Sequence, residues 1–322
     1  MTFLSAHATL IYNPHAGFWD WGGIIEQVVK FWEDRGWTMH VESTAHAGHA
    51  TELARAAALA EHGMVFAAGG DGTLNEVANG LVHTATVLAP FPVGTGNSLA
   101  KELGLARPNL LNQAWMTAVS QALARGHVQR MDLGKCDNGR HWLLWASTGI
   151  DSFVVRQIEP RPKWFKRLGS AGYAAKALFF LPQFEGVAAS ITTDDRTIED
   201  EFLLINVSNC RKFAGGEVRL NRDGVLDDGM FELWLFRGKH WPSVISYAFG
   251  IGLGQHGRHP KVDVVRTRYV AVETSPSLDY HLDGEPVART PFACELLPHA
   301  LRILAPDTTP QDLFSQPGEP ML

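Results

Sequence analysis

Through the first third of the chain, short strand-like runs alternate with longer stretches whose apolar residues recur every three or four positions. Ala8 to Tyr12, Thr38 to Glu42 and Met64 to Ala68 read as strands. Gly22 to Arg35, His49 to Glu61 and Thr73 to Val82 carry helical spacing. In the first of these helices Ile25, Val28, Val29 and Trp32 form one stripe and Gly36 ends it; in the last, Leu74, Val77, Ala78 and Leu81 recur at i, i+3, i+4 and i+7. Strand and helix in alternation predict an α/β domain, a parallel sheet with helices on both faces. Beyond a helical segment, Asn109 to Ala124, the pattern changes. Runs such as RHWLLWASTG, EFLLINVSN, MFELWLFRG and RYVAVETS follow one another, and only Lys166 to Leu181 and Trp241 to Gly252 read as helices. The second part is therefore expected to be a mostly antiparallel, β-sandwich-like domain, with the boundary near Leu133. The end of the chain, 306–322, has four prolines and few bulky apolar residues, and is expected to be a disordered tail.

Glycines fall where these elements meet. The stretch AAGGDGTLNEVANGL, Ala67 to Leu81, is a strand, a glycine turn and a helix start. Glycine lets another backbone or a phosphate come close, and the amides at a helix N-terminus favour anions. Asp71 in the middle of this turn would repel a phosphate unless a metal or water lies between them, which points to a nucleotide with magnesium. Two further glycine turns, YNPHAG at Tyr12 to Gly17 and PVGTGNSLA at Pro92 to Ala100, also close strands. Loops at the carboxyl ends of parallel strands share one edge, so three turns can converge on one ligand. GTGNSL fails the dinucleotide fingerprint, because Leu99 stands where the third small residue belongs, and no GxxxxGK[ST] occurs.

Composition narrows the partners. A chain of 322 residues, 45% of them hydrophobic, buries a sizeable core and divides naturally into two domains. A net charge of −6 offers no global attraction to nucleic acid, which is not expected as a partner. Cys136, Cys210 and Cys294 show no metal or disulfide spacing and fit a reducing compartment. No basic leader and no apolar stretch of membrane length occurs, so the expected location is cytoplasmic. RPKWFKR, Arg161 to Arg167, sets four cations around two aromatic rings; it reads either as a patch resting on an anionic membrane or as a solvated helix start.

GGDGTLNEVANGL, NPHAG, GTGNSLAKELGL, RDGVLDDGMFELW and HLDGEP, in this order from about Leu10 to Ala305, resemble the diacylglycerol kinase catalytic family, bacterial lipid kinases related to sphingosine and ceramide kinases. The resemblance implies ATP bound in a cleft between a nucleotide domain, 1–133, and a lipid-substrate domain, 134–289, with 290–305 returning to the first. Carried over residue by residue, Asn13, Pro14, His15, Ala16, Gly17, Thr44, Gly70, Gly72, Thr73, Leu74, Asn75, Glu76 and Thr95 would hold the nucleotide. Asp71 would act through Mg2+, and Glu285 would be the general base that takes the proton of the lipid hydroxyl. Asp228, with the carbonyls of Val225 and Met230, matches a second, structural metal site. The chain departs from the pattern twice: Phe18 replaces the basic residue that often follows NPxSG, and Ser98 stands where many bacterial members have aspartate.

Other readings stay open on the residues alone. DGE is also a hairpin signal, VLDDG a turn signal, and GGDGT a tight turn. The fourteen histidines show no paired ligand spacing and read as surface or core residues. The rival activities are a kinase of a soluble alcohol, resembling NAD kinases, and a non-catalytic lipid- or nucleotide-binding regulator. The expected substrate is a lipid at a membrane surface, with peripheral membrane association and a homodimer both left open.

Overall fold

The computed structural model describes residues 5–17, 21–94, 96–106, 114–158 and 180–321. The chain divides into two compact units, one comprising residues 1–132, 225–228 and 298–322, the other residues 133–224 and 229–297.

In the first unit β1 (His7–Tyr12), α1 (Trp21–Glu33), β2 (Thr38–Ser43), α2 (His49–Leu59), β3 (Met64–Gly69), α3 (Asp71–Leu81) and β4 (Val87–Pro92) alternate, followed by α4 (Ser98–Glu102), α5 (Ala114–Ala124) and the start of β5 (His127–Cys136), whose last four residues belong to the second unit. All sheet pairings among β1 to β4 are parallel, in the order β4, β3, β1, β2. β3 and β4 are buried at every position, as strands covered on both faces must be. On α1 the row Ile24, Val28 and Trp32 is buried, while Ile25 and Val29, expected at its centre, lie at the margin. Trp32 is fully enclosed and its ring lies 4.9 Å from that of Phe66. α2 and α3 come close because both faces are small: a Cβ on Gly80 would lie 2.6 Å from the Thr51 carbonyl oxygen. α3 starts at Asp71, two residues before the expected Thr73, because Gly70 already takes the extended cap conformation and its carbonyl accepts from Leu74 N–H. Only Ala114 onward of the expected Asn109 to Ala124 helix lies within the described residues.

The second unit holds β6 (His141–Trp142), β7 (Trp145–Gly149), α6 (Ile150–Ile158), β8 (Val187–Thr193), β9 (Thr197–Ser208), β10 (Lys212–Phe213), β11 (Val218–Arg219), β12 (Phe231–Arg237), α7 (Pro242–Gly252), β13 (Val262–Thr267), β14 (Tyr269–Ser275), β15 (Asp279–Leu282), β16 (Glu285–Arg289) and the start of β17 (Phe292–Ala305). Its pairings are antiparallel: β7, β8 and β12 flank β9 or extend from it, β13 pairs β12, β14 joins β8 to β17, and β15 joins β7 to β16. β8 alternates buried and exposed positions, the signature of a sheet with one face on the core. Trp142 stacks on Phe231 at 4.9 Å and fills the place that Gly134 leaves by having no side chain. The expected helix Trp241 to Gly252 is present as α7, opened by Pro242, which has no N–H to leave unsatisfied. The other expected helix, Lys166 to Leu181, falls almost wholly outside the described residues.

From Pro298 the chain belongs to the first unit, where Ile303 of β17 pairs in parallel with Leu88 of β4. The tail is not disordered. Leu313 is fully buried and Phe314 nearly so; Leu226 N–H donates to the Leu313 carbonyl at 3.0 Å, and β18 (Glu319–Pro320) pairs antiparallel with β5. The prolines that suggested disorder build turns, since Thr309 N–H donates to Pro306 O and Leu313 N–H to Pro310 O. Two apolar residues in a polar stretch suffice to anchor it. Among the described residues no helix is long and apolar enough to cross a membrane. Leu313→Ala is expected to lower the free energy of unfolding by about 2–5 kcal/mol in urea titration; an unchanged midpoint would mean the tail is undocked.

Candidate active site

The turns after β1, β3 and β4 lie at the carboxyl edge of one parallel sheet and are bonded to one another. Asn13 N–H donates to Ala68 O at 3.1 Å, Asn13 Oδ1 accepts from His15 N–H at 2.8 Å, and its Nδ2 lies 3.4 Å from Thr73 Oγ1. Ala16 N–H closes the same turn onto Asn13 O, and Gly17 leaves it with φ +69°. Thr44 follows β2 alongside, its N–H donating to Tyr12 O. In the turn after β4, Asn97 adopts φ +54°, accepts from Gly94 N–H at 3.0 Å and donates to Gly94 O at 2.7 Å.

The β3 and β4 turns touch backbone to backbone. A Cβ on Gly94 would lie 2.5 Å from Gly70 Cα, one on Gly96 would collide with Asp71 Oδ2, and one on Gly69 with the Thr73 side chain. The glycines thus serve the packing of the turns on each other, and the close approach leaves the start of α3 lined by backbone. The first amides of α3, the Thr73 hydroxyl and the Asn13 amide form a donor set that fits an anion such as a phosphate.

Among the described residues of these three turns Asp71 is the one acid. Its Oδ1 accepts from Ser98 N–H at 2.6 Å, so it also holds the start of α4. Desolvation pushes its pKa up, opposed by the amides of Ser98 and Asn97 and the charge of Lys101. Further along α3 the expected nucleotide contacts divide. Thr73 faces the turn region, its hydroxyl against Asn13 and Gly69, whereas Leu74 lies in the core and Asn75 accepts from the Asn79 amide four residues on. Glu76 caps α2: its oxygens accept from Gly48 N–H at 2.9 Å and Ala50 N–H at 3.1 Å. Thr95 lies outside the described residues.

In the second unit Asp283 and Gly284 form the two-residue tip between β15 and β16, with φ of +51° and +85°. The hairpin reading of DGE is correct for these two. Asp283 does more than turn: its carboxylate accepts from the N–H groups of Leu143, Leu144 and Trp145 at 2.7, 2.8 and 3.1 Å. Below the turn, buried His281 accepts from Gly284 N–H at Nδ1, 3.2 Å, leaving Nε2 to donate to Asp151 at 3.0 Å. Glu285, the first residue of β16, is exposed, and its Oε2 accepts from Arg140 at 2.8 Å. Val225 and Asp228 belong to the first unit and Met230 to the second. Neighbouring Asp227 holds the tail, accepting from Ser315 and Gln316 N–H. RPKWFKR lies outside the described residues.

Residues 7–136 match the family model described as the diacylglycerol kinase catalytic domain, and residues 145–305 match that of the YegS C-terminal NAD kinase beta sandwich-like domain. The chain belongs to the diacylglycerol kinase family. It is 30% identical over 280 residues to a diacylglycerol kinase of Bacillus subtilis (strain 168), covering 86% of this chain and 89% of that one. It is 29% identical over 292 residues to a probable lipid kinase, YegS-like, of Yersinia pestis (strain Pestoides F), covering 89% and 93%. The crystal structure of a diacylglycerol kinase from Bacillus anthracis str. Sterne superposes with a TM-score of 0.68 at 21% identity, over 95% of this chain and 98% of that one. A second crystal structure from the same organism gives 0.79 at 22%, over 96% and 98%. The protein is a kinase by family, and both the parallel-sheet domain and the β-sandwich-like domain are those of its relatives.

Sequence reasoning missed several residues of this kinase. Asn97 carries no signal beyond its place after a glycine, and the His281–Asp151 pair joins residues 130 positions apart. Imidazole clusters escaped for the same reason or for lack of a motif. His46 and His49 stack at 4.7 Å with Glu52 near, and His7, His40 and His62 gather from three segments of the first unit. Burial, then His40 and His7, lower the pKa of His62.

A raised pKa means that the native state holds the Asp71 proton more tightly than the unfolded chain. The contribution of this group therefore favours folding in acid and is lost as pH rises above the usual carboxylate range. Asp71→Asn keeps an oxygen for Ser98 N–H and removes the charge. At neutral pH it is expected to leave Tm level or higher while phosphate transfer falls by about 10²-fold or more. A lower Tm with retained transfer would make Asp71 a structural cap alone.

Proposed function

We propose that this kinase transfers the γ-phosphate of ATP to a hydroxyl of diacylglycerol or a sphingoid-like lipid. The observation that carries the reading is the pair of glycine turns pressed backbone to backbone around Asp71, in a chain whose relatives from Bacillus and Yersinia bear the names diacylglycerol kinase and lipid kinase. Asn13 to Gly17, Gly70, Gly72 and Thr73 hold the phosphates with amides and a hydroxyl, and Asp71 holds Mg2+, directly or through water. Magnesium, when bound, neutralises phosphate charge; in phosphoryl transfer a protein mainly positions groups and balances charge. Glu285 accepts the proton of the attacking hydroxyl, a role worth roughly 10²- to 10⁴-fold. Its contact with Arg140 is an exposed ion pair of about 0–1 kcal/mol and exchanges readily. In this reading Asp228, with the carbonyls of Val225 and Met230, supplies the second, structural magnesium site.

A lipid acceptor requires a route to a membrane, and α7 is suited to it. Ile245, Phe249 and Leu253 recur every fourth residue and are 55%, 69% and 55% exposed, three of the seven exposed large hydrophobics among the described residues. From Arg237 to Lys261 the sequence holds four lysines and arginines and no acid, in a chain of net charge −6. An apolar stripe matches a lipid surface, with Arg258 and Lys261 near it for anionic headgroups, Arg237 and Lys239 being paired with Asp200, Asp263 and Glu201.

The test uses γ-labelled ATP, magnesium and mixed anionic lipid vesicles. Labelled lipid is expected from the wild type, at least about 10²-fold less from Glu285→Gln, and less from Phe249→Ser on vesicles but not on a short-chain dispersed substrate. Label on a soluble alcohol with none on lipid would favour the NAD-kinase-like reading. Nucleotide-dependent thermal stabilisation without any transfer would favour the regulator.

A further inference from the structure

We propose that His7, His40 and His62 form a site for a divalent first-row transition cation of zinc's class. His7 opens β1, His40 lies in β2 and His62 sits in the turn ahead of β3. In the parallel pairing His7 lies against Thr38 and Thr9 against His40. Residues two apart on a strand share a face, and so do residues in register on neighbouring strands, so His7, Thr9 and His40 project together. The ring of His62 reaches the same face, its Nδ1 2.7 Å from the Oγ1 of buried Thr9. The ring centroids lie 5.9, 5.8 and 4.6 Å apart, and one nitrogen of each ring lies within 4.8 Å of the other two. Sheet register places these rings together.

The donor set selects the cation. Three imidazoles with no carboxylate in the cluster suit zinc and its neighbours and are poor ligands for magnesium or calcium. In the tautomer that donates Nδ1–H to Thr9, His62 keeps the lone pair of Nε2 for a cation, the arrangement by which an outer partner fixes a ligating histidine. Zinc–nitrogen bonds of about 2.0–2.1 Å need nitrogens about 3.3 Å apart. The rings must therefore close by at most about 1.5 Å, and His7 and His40, both exposed, can do so by side-chain rotation. Three protein ligands leave a fourth position to water. His7 and His62 stand at the amino ends of the strands and the glycine turns at the carboxyl ends, about 20 Å away for six-residue strands. A cation here ties the edge strand β2 and the entry to β3 onto β1, and does not meet the phosphates.

The test is zinc chloride titrated into tag-free, chelator-stripped protein in competition with a chromophoric chelator. Every protein carries His46→Gln, which breaks up the other imidazole pair. One equivalent is expected to be lost on adding His40→Gln, His7→Gln or His62→Gln, and Thr9→Val is expected to bind about 10- to 100-fold more weakly. Zinc is expected to raise the Tm of the His46→Gln protein but not of that protein carrying His40→Gln, and millimolar magnesium is expected not to displace it. Equal uptake with and without His40→Gln and His7→Gln, or no uptake from micromolar zinc, overturns the assignment.

Discussion

The contact between Gly70 and Gly94 is the constraint on which the glycine-turn edge of the first unit depends. Two strand ends meet there with no side chain between them, and a single Cβ on Gly94 would stand 2.5 Å from the opposing Cα. From that approach the rest follows. The start of α3 is left lined by amides, Asp71 is brought against the amide of Ser98, and Asn97 is held in a left-handed conformation that bonds back to Gly94. Burying an acid at this point raises its pKa and opposes stability at neutral pH.

Carboxylates that tie loops by their amides recur through the chain. Asp71 holds Ser98, Glu76 holds Gly48 and Ala50, Asp227 holds Ser315 and Gln316, and Asp283 holds three successive amides from Leu143. Charge-assisted bonds of this kind are roughly twice as strong as neutral ones, and they act where loops have no ladder to satisfy their N–H groups. Asp283 and Asp227 thus brace the loops of the two motifs that carry Glu285 and Asp228.

The alternation of strands and helices in the first unit was legible because buried parallel strands are continuous apolar runs and the helices between them carry one apolar stripe. The shift to antiparallel pairing was legible from strand-like runs such as RHWLLWASTG, EFLLINVSN and MFELWLFRG that follow one another with few helices between. What failed did so for physical reasons. Glu76 reads as part of a nucleotide motif because it follows GGDGTLN, yet its partners are in a helix 26 to 28 residues earlier. The tail reads as disordered because composition counts prolines and misses that Leu313 alone can be an anchor. The histidine cluster was invisible because its members lie on two strands and a turn far apart in sequence, which only the fold brings together.

Calorimetric titration of magnesium-ATP into the Gly94→Ala variant, beside the wild type, probes the Gly70–Gly94 contact where it matters for nucleotide. Gly94 does not need a positive φ, so the alanine is opposed by space and by nothing else. The account predicts nucleotide binding weakened by about tenfold or more, since displacement of the turn by about 1 Å misplaces the phosphate donors, with the second unit folded as before. Unchanged affinity in a folded variant would contradict it: the two turns would then be a packing detail, and the phosphates would be held elsewhere.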